Sequence, residues 1–228
     1  ISTFLREVNP MGGLIDEASH IGTTEWIHSG NYILNALLSG NIFGGFANNR
    51  MYGAGGLSGT GKTFLFLNTA IELQKAGYHI IWIDSEGAMD AHTVHQFGMD
   101  PKKFRIEPIG VVEDLKIYMA KVIQKFKEIR EEGGTIPKLA FVIDSLGNLA
   151  SRKEVMDAQE AKEKADMTRA KIVRSLFRII RYEFGLLRIP IFITNHTYID
   201  NSSFFPTQQW SGGEGGIYNC DTIMMLTK

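Results

Sequence analysis

The sequence has one cysteine, Cys220, in 228 residues. That excludes an internal disulfide framework and fits a reducing compartment. No stretch approaches the roughly 18 uninterrupted apolar residues of a membrane span, and no charged leader followed by an apolar run opens the chain. Charge of one sign is also missing: 24 Lys and Arg stand against 25 Asp and Glu. A surface basic all over is therefore excluded, and any contact with nucleic acid must be confined to a patch. The six histidines show no metal-ligand spacing, so no zinc site is expected. Ser-His-Asp and Cys-His arrangements, internal repeats and low-complexity segments are absent too. The chain reads as soluble and intracellular, with no membrane partner.

What is present is a large apolar fraction, 44% of residues, enough for one α/β domain or one with a small appendage. The chain begins on Ile1 and stops within an apolar, strand-like run at Asp221–Thr227. We therefore expect it to be a piece of a longer protein, with an N-terminal segment over 1–30 and a core over 31–228. Residues 1–50 read as irregular, with a modest apolar pattern around Tyr32–Leu38. Strands are expected at Arg50–Ala54, Tyr78–Asp84, Lys138–Ser145, Ile189–Asn195 and Asp221–Thr227. Helices are expected at Thr63–Ala76, Val94–Gly98, Glu113–Glu131 and Met167–Phe184. Strands alternating with helices predict βαβ crossovers and a mostly parallel, twisted sheet with helices on both faces.

Gly56-Leu57-Ser58-Gly59-Thr60-Gly61-Lys62-Thr63 matches G-x-x-x-x-G-K-[ST] in full. The glycines allow the backbone to bend so that successive N–H groups face phosphate oxygens. The helix that starts there adds its positive end to the same anion. Lys62 supplies a point charge to the β- and γ-phosphates, and Thr63 a hydroxyl to Mg2+. A strand before the loop and a helix after it complete the context for ATP binding, with Phe64 next to the loop.

Leu139–Asp144 is a buried strand ending in an acid, the form of the second magnesium-side group in P-loop proteins. Ile80–Glu86 is a strand whose carboxyl end carries Asp84 and Glu86, at the edge where ligands sit in doubly wound sheets. A carboxylate there is placed to take a proton from water attacking the γ-phosphate, and Glu86 is the candidate base. Asp84 reads as structural support. Trp82 reads as core, and Met224-Met225 as part of a buried strand.

Four stretches together resemble the RecA family, and within it the UvsX-type recombinases of large tailed phages. They are the loop at 56–63, Asp84-Ser85-Glu86-Gly-Ala-Met-Asp90, Phe141-Val-Ile-Asp-Ser-Leu-Gly-Asn-Leu-Ala-Ser151 and Ile193-Thr-Asn-His196-Thr-Tyr. The resemblance covers about residues 30–228 and implies a RecA-like P-loop NTPase core. It implies a DNA-dependent ATPase that forms filaments on single-stranded DNA, with ATP between neighbouring subunits, and exchanges strands with homologous duplex DNA. Single-strand-binding and mediator proteins are implied partners. Glu86 falls on the family's water-activating glutamate, Asp144 on its magnesium-linked acid, and His196 on its γ-phosphate sensor. Asp90 falls on an acid that accepts the adenine amine. Position 93 is Thr where the family often has an aromatic stacked on the base, so His92 and His95 remain alternatives for that contact.

The confined basic patch falls in Met167–Arg181, which holds Arg169, Lys171, Arg174, Arg178, Arg181 and no acid. Arg169 and Lys171 are expected nearest the DNA, with Arg174 beyond them. The long segment Thr197–Tyr218 reads as a loop after His196. Its aromatics Phe204, Phe205 and Trp210 suit wedging or stacking between bases, and the backbone at Gly212-Gly213 and Gly215-Gly216 suits phosphate. Two other readings of the same motifs are a RecA-fold hexameric helicase and a P-loop regulatory ATPase without DNA.

Overall fold

The computed structural model describes residues 2–10, 12, 22–160, 168–200, 207–210 and 217–228. In chain order the elements are α1 (Ser2–Val8), β1 (Trp26–Ile27), α2 (Tyr32–Ser39), β2 (Phe46–Ala47), β3 (Met51–Gly56), α3 (Lys62–Lys75), β4 (His79–Asp84) and α4 (Ala91–Gln96). They continue with β5 (Phe104–Pro108), α5 (Val112–Glu131), β6 (Leu139–Asp144), α6 (Arg152–Gln159), α7 (Thr168–Leu187), β7 (Ile191–Asp200), β8 (Thr207–Trp210) and β9 (Thr222–Leu226).

The apolar runs of β3, β4 and β6, and of β7 as far as Ile193, contain almost no polar residue before their ends, as strands covered on both faces require. They form the centre of a sheet ordered β5-β4-β6-β7-β3-β9, with β8 added to the far end of β7. All pairings along the main path are parallel, and only β8 runs antiparallel to its neighbour. Because strand side chains alternate, odd residues of β4, β6 and β7 (Ile81, Ile83, Phe141, Ile143, Ile191, Ile193) pack against α5 and α7. Even residues (Ile80, Trp82, Ala140, Val142, Phe192) pack against α3 and α4. Helices α5 and α7 lie side by side and run the same way, pinned by Lys116 to Ser175 (2.9 Å) and Lys127 to Glu183 (2.7 Å). The small sheet β1–β2 delivers Ile27 and Phe46 to the α3-side core.

The mostly parallel α/β architecture is as expected, with several departures in detail. Strand β5 and helix α6 were not anticipated, and α2 has a defined start and end within the stretch read as irregular. Asn31 caps its first turn, and Gly40, at φ 73°, closes it. The segment after His196 is not all loop. Strand β7 runs on to Asp200 and pairs with β8, with Thr197 opposite Trp210. Strand β9 is not buried: as the edge strand it is half-exposed along its length, and Met225 faces solvent. Trp82 is in the core, as expected.

Trp210, expected with Phe204 and Phe205 to meet bases, is instead buried against β3. A methyl group added at Gly53 would lie 2.9 Å from its Cη2, and one at Gly55 2.9 Å from both Cε3 and Cζ3. The two glycines thus leave a flat slot on the strand that leads into the phosphate loop, and the indole fills it.

Candidate nucleotide site at the carboxyl edge of the sheet

The loop between β3 and α3 turns through Gly59 and Gly61, whose φ values of 72° and 89° are those that only glycine adopts readily. Helix α3 starts at Lys62 with no side chain capping its first turn, so its N–H groups are directed at the loop. A side chain at Gly56 would meet Thr60 Oγ1 at 2.5 Å and the Leu226 carbonyl at 2.7 Å. Lys62 lies along this cradle and donates to the carbonyls of Gly56 (2.9 Å) and Leu57 (3.0 Å). Burial lowers its pKa, while the negative charges of Asp144 and Glu86 oppose that shift. Leu57, Ser58 and Phe64 form an exposed rim, and Phe64 meets Phe97 edge to face at 5.7 Å.

Even parity at the strand ends brings the acids to the same side as α3. Asp84 and Asp144 are register partners at the ends of β4 and β6. Thr63 Oγ1 donates to Asp144 Oδ2 at 2.9 Å, and Thr194 Oγ1 of β7 donates to Oδ1. Burial raises the Asp144 pKa; these two hydroxyls hold it down, and the charges of Glu86 and Asp84 push it up. A hard hydroxyl–carboxylate oxygen pair beside a phosphate cradle suits Mg2+, which typically takes one or two protein ligands with phosphates and water. Thr63 and Asp144 therefore fit the ion.

Asp84 faces inward onto its own loop. Its two oxygens accept the backbone N–H groups of Glu86 (3.0 Å), Gly87 (2.8 Å), Ala88 (3.4 Å) and Met89 (3.0 Å). That arrangement shapes the turn from which Glu86 projects. Glu86 Oε1 lies 2.7 Å from Ser145 Oγ, which donates to it, and 3.2 Å from His196 Nε2. Lys62, Thr63, Asp144, Glu86 and His196 are thus brought together from β4, α3, β6 and β7. Sequence reasoning missed Thr194 and Ser145. Their positions, two before His196 and one after Asp144, become meaningful only with the strand register.

Asp90 stands apart as the cap of α4, accepting the Thr93 N–H at 2.7 Å. That bond and the Thr93 hydroxyl hold its carboxyl below the usual range. On α7, Arg169 departs from the expectation of a group reaching outward. Its guanidinium is turned onto the carbonyls of Leu149 (2.6 Å), Leu146 (2.9 Å) and Gly147 (3.1 Å), which form the turn after β6. Lys171, Arg174 and Arg178 are exposed, and Arg181 is held by Asp221 at 2.9 Å. Phe204, Phe205, Gly212, Gly213, Gly215 and Gly216 lie outside the described residues. A cavity of about 540 Å³ bounded by Arg50, Arg178, Arg181 and Tyr182 lies at the opposite edge of the sheet. None of the phosphate-loop residues or strand-end acids lines it.

A family profile described as RecA N-terminal domain matches residues 14–182. The chain is similar to a recombination and repair protein of Enterobacteria phage T4, 34% identical over 201 residues, covering 86% of this chain and 48% of that protein. It is also similar to the DNA repair and recombination protein RadB of Thermoplasma acidophilum, 25% identical over 194 residues, covering 84% of this chain and 77% of RadB. The chain thus spans about half the length of the phage relative. With the profile match extending from before β1 into α7, the chain belongs to the RecA family.

Proposed function

We propose that this chain is the ATP-hydrolysing core of a recombinase that assembles as a filament on single-stranded DNA and exchanges strands with homologous duplex DNA. The observation that carries the reading is the convergence of Lys62, Thr63, Asp144, Glu86 and His196 at one edge of the sheet. In this reading the loop N–H groups at 56–63, the start of α3 and Lys62 hold the triphosphate. Thr63 and Asp144 hold Mg2+, whose charge neutralises the phosphate oxygens. Glu86 takes the proton of the attacking water. His196, as an Nε2–H donor, senses the γ-phosphate from the strand that leads into the β7–β8 hairpin. Asp90 receives the adenine amine.

The names of both relatives support a role in recombination and repair. For DNA we assign the exposed Lys171 and Arg174 to phosphates, Phe204 and Phe205 to bases, and the Gly212-Gly213 backbone to phosphate. Arg169 braces the turn after β6.

The test is ATP hydrolysis with and without single-stranded DNA across a salt series. Strong stimulation that weakens with salt is expected, and Lys62→Ala should abolish turnover. Retained hydrolysis in that variant would sink the site assignment. Hydrolysis indifferent to DNA would leave a P-loop ATPase and remove recombination, while closed rings in electron micrographs would favour a helicase.

A further inference from the structure

Ser145 is fully buried and has no role in the reading above. Its backbone N–H donates to Ser85 Oγ at 2.9 Å, and Ser85 Oγ donates back to the Ser145 carbonyl at 2.7 Å. The Ser85 N–H donates in turn to the Asp144 carbonyl at 3.0 Å. Residues just past the ends of β4 and β6 are thereby locked to each other. The lock directs the Ser145 hydroxyl at Glu86, where it donates to Oε1 at 2.7 Å. His196 Nε2 approaches that same oxygen at 3.2 Å. Among the described residues, no hydrogen bond reaches Oε2 of Glu86.

A glutamate has three rotatable side-chain bonds, and Glu86 is about one-third exposed, at 31% for its side chain. Nothing apolar in the site is needed to fix its carboxylate if hydrogen bonds do so. With the His196 Nε2–H turned to the γ-phosphate, the Ser145 hydrogen bond is what engages Oε1, and it leaves the other oxygen for a reactant. We infer that Ser145 is a positioning residue for hydrolysis: its hydroxyl holds Oε1 of Glu86 so that Oε2 meets the attacking water. This rests on the proposed ATPase reading. The proton of water passes to Oε2 as the water oxygen bonds to the γ-phosphorus. The bond from that phosphorus to the bridging oxygen breaks, and its electron pair leaves on ADP. Ser145 gains and loses nothing in the step; it confines the base to the geometry in which the transfer occurs.

The experiment is steady-state ATP hydrolysis by Ser145→Ala, Ser85→Ala, Glu86→Gln and the double variant Ser145→Ala/Glu86→Gln, with thermal unfolding of each as a check on folding. Misplacement of a reacting group costs up to about 100-fold, so Ser145→Ala should lose roughly tenfold in kcat. Its KM for ATP and its magnesium requirement should stay within about twofold, because the phosphate and metal contacts are separate. Ser85→Ala, which loosens the lock without removing the donor, should lose less. Glu86→Gln should lose about 100-fold or more, and adding Ser145→Ala to it should cost nothing further. Wild-type kcat in Ser145→Ala would overturn the inference. So would an equal loss in the Glu86→Gln background, or an effect that falls on KM or magnesium instead of kcat. Full turnover by Glu86→Gln alone is a different failure: it removes the base assignment, and Ser145's role with it.

Discussion

At the residue scale, Asp144 meets two opposing demands. Folding has to bury it, which raises its pKa, and the nearby charges of Glu86 and Asp84 add to the rise while Thr194 and Thr63 resist it. An acid whose folded pKa lies above its unfolded value binds more protons when folded within that interval. Its contribution to stability therefore falls as pH rises from the ordinary value of 3.8 through the elevated one, and is at its least favourable above it. Asp144→Asn removes that penalty. Measured by calorimetry in the presence of a chelator, it should raise the neutral-pH unfolding midpoint. The gain should shrink towards pH 4, and ATP hydrolysis should be lost. A lower midpoint in the variant would mean that the hydrogen bonds from Thr63 and Thr194 outweigh the buried charge.

At the scale of elements, α7 shows how one helix divides its cations between structure and surface. Its first turn uses Arg169 to brace the turn after β6, its exposed middle carries Lys171 and Arg174, and Arg181 ties its later part to Asp221 beside β9. Arg169→Ala should therefore lose stability, about 1.5–3 kcal/mol for bonds to a charged group, and leave the salt dependence of DNA binding unchanged. Lys171→Ala should do the reverse, reducing the slope of log affinity against log salt by about 0.7 for single-stranded DNA. Denaturant titrations and binding isotherms at several salt concentrations separate the two. Position in the chain put Arg169 beside Lys171 as the cations nearest the DNA, because the sequence does not show which carbonyls lie within reach. The central strands were legible because burial on both faces writes an unbroken apolar run. Strand β5 was not, since an edge strand alternates, and Arg105, Glu107 and Pro108 hide it. Helix α6 left a readable trace in its Ser151–Glu154 capping box, whose two reciprocal bonds form at its first turn. Its short, polar body masked that signal.

For the whole molecule, the topology does what the sequence only hints at. The phosphate loop, the two strand-end acids and His196 are far apart in the chain. Placing β7 between β6 and β3 brings them within one edge. The loop itself was legible because its chemistry requires fixed residue types at fixed spacing. Ser145 and Thr194 were not, because their importance depends on which strand lies next to which. The slot on β3 has a consequence for how this family can diverge. Trp210 and the glycines at 53 and 55 occupy one volume from opposite sides of the chain's path. They are expected to evolve as a unit: a relative that gains Ala or Ser at either glycine position should carry a smaller residue in place of the indole. Sequences of homologues aligned on the phosphate loop can check this directly. A relative keeping the tryptophan while filling either position with a larger side chain would show that the hairpin can leave the strand without loss of the fold.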